Sequence, residues 1–212
     1  MEKSLRNSET PDLSPPSGGL LQKKNLALLT LAHTVNDTYT GFLAPLLPII
    51  VPTLGISLTL AGALVTTLSI STSLGQPLAG HLSDRFSKRA PSLFGLLFAG
   101  FFLSAIGIAP TYRFLLLLLI LGGLGSAFFH PLAAAMTGAA SGRRRGLGMA
   151  IFVAGGRVGV ALGPLIAISI ATLLGLKFLP LTAGLGVTMF FLLYRYGPTP
   201  RLSPQRHERR GL

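Results

Sequence analysis

The chain alternates between long apolar runs and short polar or basic connections. A helix needs about 20 mostly apolar residues to cross a ~30 Å hydrocarbon core. On that measure the runs predict six spans, near 25–52, 57–80, 90–109, 112–138, 146–174 and 176–194. The stretch from Thr38 to Ser83 contains no Asp, Glu, Lys or Arg. Within it Pro45, Pro48, Pro52 and Gly55 separate the end of one helix from a turn and a second helix. The expected organisation is an all-α membrane protein: a disordered cytosolic tail at 1–22, a six-helix transmembrane domain at 23–196 and a basic cytosolic tail at 197–212.

Composition narrows this reading. Of 212 residues half are hydrophobic and only 11% are charged, against roughly 25% charged in a soluble domain. A soluble globular fold and a disordered chain are both excluded as the main organisation. The formal net charge of +12 raises nucleic-acid binding as a possibility. The basic residues, however, sit in islands between the spans. Lys23, Lys24, Arg85, Lys88, Arg89, Arg143 to Arg145 and Arg195 fall on one side with both tails, whereas only Arg113 and Lys177 fall on the other. The excess of Lys and Arg on cytoplasmic loops predicts both termini in the cytosol and a multi-pass protein of the inner (plasma) membrane. Its partner is the lipid bilayer, not nucleic acid. The first apolar run is too long for the h-region of a cleavable signal peptide. Arg206-His207-Glu208-Arg209-Arg210 is either a solvated tail or a contact to anionic lipid. With no cysteine, disulfide frameworks and thiol chemistry are absent.

Ionisable residues inside a span are costly unless they face protein or water, so each is a candidate functional residue. His33 and Asp37 are spaced i, i+4 on one face of the first span, with Asn36 beside them. His130 lies in the fourth span and Arg157 in the fifth. At about 1.5 Å per residue, His33 lies roughly 14 Å and Asp37 roughly 20 Å from Lys24. By the same measure Arg157 lies roughly 18 Å from Arg145 and His130 roughly 20 Å from Arg143. All four therefore fit one layer near the midplane, where transporter sites are expected. Either histidine is equally consistent with a plain interhelical hydrogen bond, and Asp37 with Arg157 is consistent with a structural ion pair.

Gly155, Gly159 and Gly163, followed by Pro164, mark a face of the fifth span suited to close helix packing or to a dimer contact. In the connection Gly80-His81-Leu82-Ser83-Asp84-Arg85-Phe86-Ser87-Lys88-Arg89, the acidic Asp84 is not demanded by topology and calls for a basic or helix-terminal partner.

These motifs resemble the N-terminal half of a major facilitator superfamily transporter. Gly80-x-x-x-Asp84-Arg85-x-x-Lys88-Arg89 is similar to the superfamily's loop motif between helices two and three, with Ser87 where glycine is usual. Within the superfamily the chain is most similar to the fosmidomycin-resistance group of drug exporters. The shared segments are His33-x-x-Asn36-Asp37, Pro45-Leu46-Leu47-Pro48, Gln76-Pro77, Gly123-x-Gly125-Ser126-x-x-Phe129-His130-Pro131, Ser141-Gly142-Arg143 and Phe152-x-x-Gly155-Gly156-x-x-Gly159-x-x-Leu162-Gly163-Pro164-Leu165. Arg157 stands where asparagine is usual after Gly155-Gly156, and the fourth span lacks the membrane arginine of many proton-driven relatives. Arg157 is expected to take over that electrostatic role.

The resemblance implies a proton-coupled exporter of small molecules, with Asp37 as the coupling carboxylate and His33 or His130 as relay. Gly159-x-x-x-Gly163-Pro164 partly matches the fifth-helix motif of drug-proton antiporters and favours antiport. Superfamily members have two six-helix halves with substrate between them, so a parallel homodimer working by alternating access is expected. Gly80, Asp84, Arg85 and Arg89 would form a cytosolic gate, with Asp84 meeting the partner copy near Gly146 to Met149. A half-transporter with a different six-helix partner, or a non-transporting scaffold, are the alternatives. No paired-carboxylate, Ser-His-Asp or His-Glu-x-x-His constellation points to an enzyme, and two isolated histidines imply no metal; no cofactor is expected.

Overall fold

The computed structural model describes residues 20–83 and 89–198, and among them every regular element is helical. The order is α1 (Lys23–Thr40), α2 (Leu43–Leu54), α3 (Leu58–Ser83), α4 (Arg89–Ser104), α5 (Tyr112–Ala140), α6 (Arg145–Leu173) and α7 (Ala183–Tyr196). Short 3-10 turns follow α4 (Ala105–Ile108) and precede α6 and α7 (Gly142–Arg144 and Leu176–Thr182). Among the described residues five helical segments are long and apolar enough to cross a membrane: Leu58–His81, Ala90–Ile108, Tyr112–Ala140, Gly142–Leu173 and Leu176–Tyr196.

The expected first span, 25–52, is not one helix. It breaks between Thr40 and Leu43. Pro45 has no N–H to bond the carbonyl of Gly41, and its ring crowds that carbonyl, which weakens the ladder at this point, whereas Pro48 and Pro52 are accommodated inside α2. Gly55 then ends α2 in a left-handed conformation (φ 61°), with its N–H and that of Ile56 returning to Pro52 and Val51. Ser57 caps the next helix, its Oγ accepting the N–H of Leu60 at 3.2 Å.

α1 is the central helix of the bundle. It packs most extensively on α6 and also touches α4, α5 and α7. Being enclosed, it can carry His33, Thr34, Asn36, Asp37 and Thr38 away from lipid, which is why hydropathy alone does not mark it as a span. Apolar burial supplies little drive between helices in lipid, so close packing and interhelical hydrogen bonds must hold the bundle. The glycine face of α6 provides the packing. A Cβ on Gly155 would collide with the side chain of Thr30, one on Gly159 with the carbonyl of Thr34, and one on Gly163 would lie 2.7 Å from the carbonyl of Thr38. This face is therefore covered by α1 of the same chain and is not offered to a second copy. Pro164 lies within α6, half-buried. Thr34 adds a hydrogen bond from its Oγ1 to the Gly155 carbonyl at 2.9 Å.

Tyr39 ties α1 to α7. Its hydroxyl donates to the Thr182 carbonyl (2.6 Å) and accepts from the Gly186 N–H (2.8 Å). Those two backbone groups are four residues apart, so the hydroxyl is inserted into the first rung of the α7 ladder.

Among the described residues the buried apolar side chains form two clusters. One contains Leu29, Ala32, Leu96, Phe129, Phe152 and Leu193. The other contains Tyr39, Phe42, Leu46, Leu64, Leu119 and Ala167. On α1 the residues between them are His33 to Thr38, on α5 the interval includes Ser126, and on α6 it includes Arg157. The polar layer thus lies between two dry ones.

Candidate functional site

Three side chains from two helices converge in that layer. The i, i+4 spacing on α1 places His33 Nε2 3.2 Å from Asp37 Oδ2. α5 delivers His130 from the other side, with Nε2 3.0 Å from Asp37 Oδ1. The two imidazoles stand edge to face with centroids 5.0 Å apart. One carboxylate therefore receives a histidine on each oxygen.

Both rings are oriented from behind by backbone. His33 Nδ1 lies 2.8 Å from the Phe152 carbonyl on α6, and the Phe152 ring stacks on the imidazole at 4.1 Å and 20°. His130 Nδ1 lies 2.8 Å from the Ser126 carbonyl one turn earlier and 3.3 Å from its Oγ. Asn36 braces the assembly, its Nδ2 donating to Asp37 Oδ1 (3.0 Å) and to Ser126 Oγ (2.9 Å). The side chains of Asp37 and His130 are 14% and 26% exposed, so the cluster is reachable from one side while His33, at 8%, is closed in.

This geometry constrains the protons. A carbonyl only accepts, so each Nδ1 carries the hydrogen. Each Nε2 faces a carboxylate oxygen, which also accepts when ionised. A hydrogen bond across either contact needs one added proton, on nitrogen or on oxygen. Two such positions exist, and filling them takes the three groups from a charge of −1 to +1. The cluster can thus store and release protons with little movement of its heavy atoms.

Among the sequence-predicted site residues, His33, Asn36, Asp37 and His130 are brought together. Arg157 is not. It lies at the same level on α6, but its side chain is exposed and makes no ion pair among the described residues. The ion pair with Asp37 is absent because the residue that faces Asp37 is Gly156, and the next helical position points about 100° away. Gly80 lies within α3, half-buried. Asp84 and Arg85 lie outside the described residues. Arg89 opens α4, with its side chain outside the described set.

The histidines, expected to be isolated, form with Asp37 a group whose ligand atoms lie within 4.8 Å of one another. Sequence reading also missed Gly156, Phe152 and Ser126 as site residues. A Cβ on Gly156 would lie 2.5 Å from His33 Cε1 and 2.7 Å from Asp37 Oδ2. The signal for Gly156 was the doubled glycine, only one of which lies on the Gly155, Gly159, Gly163 stripe.

The family model described as Major Facilitator Superfamily matches residues 29–211. The fosmidomycin resistance protein of Escherichia coli is 30% identical over 142 residues, which are 67% of this chain and 35% of that protein. The uncharacterized MFS-type transporter YfnC of Bacillus subtilis is 30% identical over 172 residues, 80% of this chain and 42% of that one. The chain thus spans less than half the length of these relatives. In fold it is similar to a crystal structure of a peptide transporter in complex with alafosfalin, with a TM-score of 0.69 at 22% identity, over 87% of this chain and 44% of that one. With a helical bundle that matches half of such a transporter and a family model covering most of its length, the chain belongs to the major facilitator superfamily.

Proposed function

We propose that this chain is a six-helix half of a proton-coupled secondary transporter that exports small drug-like or metabolite molecules by alternating access, as an antiporter. The observation that carries the proposal is the Asp37 carboxylate held between His33 and His130, with two proton positions in a layer bounded by apolar clusters. Asp37 is the coupling carboxylate, and His130, the more exposed histidine, is the relay to the open side. The relative named for fosmidomycin resistance supports export of a small molecule.

The second half is a second copy of this chain in a parallel two-fold pair, within the inner membrane and with both termini in the cytosol. Support comes from the faces of α3 and α6. Thr66 and Ser69 on α3 are exposed, and their hydroxyls bond the carbonyls one turn back, which makes them tolerable in lipid. Exposed Gln76 on α3 and Arg157 on α6 have no such escape and call for water or protein. In this pair Gly80, Asp84, Arg85 and Arg89 form the cytosolic gate against the start of the partner's α6.

The test is reconstitution of the purified protein in liposomes, following proton movement against a panel of candidate compounds. Wild type is expected to move protons in response to substrate and Asp37→Asn is not. Equal flux in both variants overturns the coupling role. Crosslinking and native sizing of the chain expressed alone separate a self-pair from a different six-helix partner.

A further inference from the structure

We infer that His33, Asp37 and His130 form a binding site for one divalent transition-metal ion of the Zn²⁺ or Co²⁺ class. Binding stands on the side chains alone; only a use of the bound ion in transport rests on the proposed function.

Two imidazole nitrogens and a carboxylate are a donor set for zinc-like ions, with a fourth position left for water or substrate. Calcium and magnesium prefer oxygen ligands throughout. The three ligand atoms lie within 4.8 Å of one another. Ligands bound at zinc-like distances in a tetrahedron are about 3.4 Å apart. His33 Nε2 and His130 Nε2 lie 3.2 and 3.0 Å from opposite oxygens of the Asp37 carboxylate, so an ion seated between the rings meets both oxygens, or one of them after a small turn of the carboxyl group. The adjustment left is for the two imidazoles to draw together around the carboxylate, within a set whose ligand atoms already lie within 4.8 Å of one another.

The second observation is the orientation of the rings. A metal-ligating histidine almost always donates its other N–H to a carbonyl or carboxylate, which fixes the tautomer and aims the lone pair. Both histidines have that arrangement here, at 2.8 Å to the Phe152 and Ser126 carbonyls, and their Nε2 atoms point at the same carboxylate. Asn36 supports the carboxylate in turn. Without a cation between them, the nitrogen lone pairs would face carboxylate oxygens. Either two protons or one divalent ion relieves this, and the two occupancies carry the same charge. Partial exposure of Asp37 and His130 leaves an approach for the ion, and the Arg157 guanidinium is not paired into the cluster.

The test uses the full chain without a polyhistidine tag, purified in lipid nanodiscs. It is titrated with Co²⁺ while the visible d–d absorbance is read, and with Zn²⁺ by calorimetry. One saturable site per chain is expected, unaffected by excess Mg²⁺. Asp37→Asn and His130→Gln should each bind about tenfold more weakly or worse, whereas His81→Gln, at an exposed histidine of α3, should bind as wild type. Zn²⁺ should raise the thermal midpoint of wild type, a readout that does not depend on any variant folding. Absence of saturable binding by wild type overturns the inference, as does unchanged binding in Asp37→Asn and His130→Gln. A protein that binds no metal but loses proton flux in Asp37→Asn overturns this inference and leaves the transport proposal standing. Metal binding with unchanged flux does the reverse.

Discussion

Gly156 stands so close to Asp37 that a methyl group on its Cα would lie 2.7 Å from Oδ2, inside van der Waals contact. The same methyl would meet His33 at 2.5 Å. Neither side chain can retreat freely, because His33 is sandwiched against Phe152 and Asp37 is held by Asn36 and His130.

Gly156→Ala is therefore expected to displace the cluster while leaving the bundle folded. Misplacement of about 1 Å costs on the order of 100-fold in a geometry-dependent step, so substrate-driven proton flux should fall by about that factor. Gly138→Ala is the matched control. Nothing lies within 4 Å of a Cβ there, and alanine in a helix interior is better than glycine by roughly 0.5–1 kcal/mol. Its flux should equal wild type in the same liposome assay, with an equal or higher thermal midpoint.

Gly159→Ala is expected to act on stability. The added methyl collides with the Thr34 carbonyl, which is backbone and cannot rotate away, so α1 and α6 must separate. Overpacking of this kind costs about 1–3 kcal/mol. Thermal unfolding in detergent should show a lower midpoint for Gly159→Ala than for a second alanine variant on the same helix at exposed Val158.

Tyr39→Phe keeps the ring and removes the hydroxyl inserted between Thr182 and Gly186. The ring still separates the two backbone groups, leaving buried polar atoms unpaired at a cost of about 1–3 kcal/mol. Faster amide exchange at Gly186, with a lower unfolding midpoint, is the expected result. Unchanged exchange would show that the ladder closes once the hydroxyl is gone.

Arg157→Ala should barely change stability, within about 0.5 kcal/mol, because the side chain is exposed and makes no ion pair among the described residues. Its surroundings can be read by labelling. The chain contains no cysteine, so Arg157→Cys and Gln76→Cys are unique thiols on a native background. A water-soluble maleimide should modify both in membranes and leave Phe191→Cys, an exposed apolar position on α7, unmodified. Equal protection at all three would place lipid against the faces of α3 and α6 and remove the support for a second half there.

Much of the architecture was legible because the membrane makes an unusually strict solvent. Helices α3 to α7 lie along apolar runs with few charges, since a charge within a span is costly unless it faces protein or water. The first span was legible only in part. Its prolines announced a turn, but Pro48 and Pro52 are accommodated inside α2, and only the structure puts the break ahead of Pro45. The shared depth of His33, Asp37 and His130 came from counting residues along helices, because 1.5 Å per residue is the same in every helix.

Depth, however, is one coordinate of three. Arg157 satisfied it and still lies outside the cluster, because the rotation of α6 about its own axis is set by where Gly155, Gly159 and Gly163 admit α1. That packing turns Gly156 toward Asp37 and sends the next side chain away. The sequence by itself determined a membrane-spanning helical chain with a few polar residues at one level. Only the tertiary structure decided which of them meet, since 93 residues separate Asp37 from His130 and their contact depends on how α1 and α5 are held against each other. The same packing aims both imidazoles at one carboxylate: it brings the Phe152 carbonyl of α6 to His33 Nδ1, whereas His130 Nδ1 is held by Ser126 one turn back on its own helix.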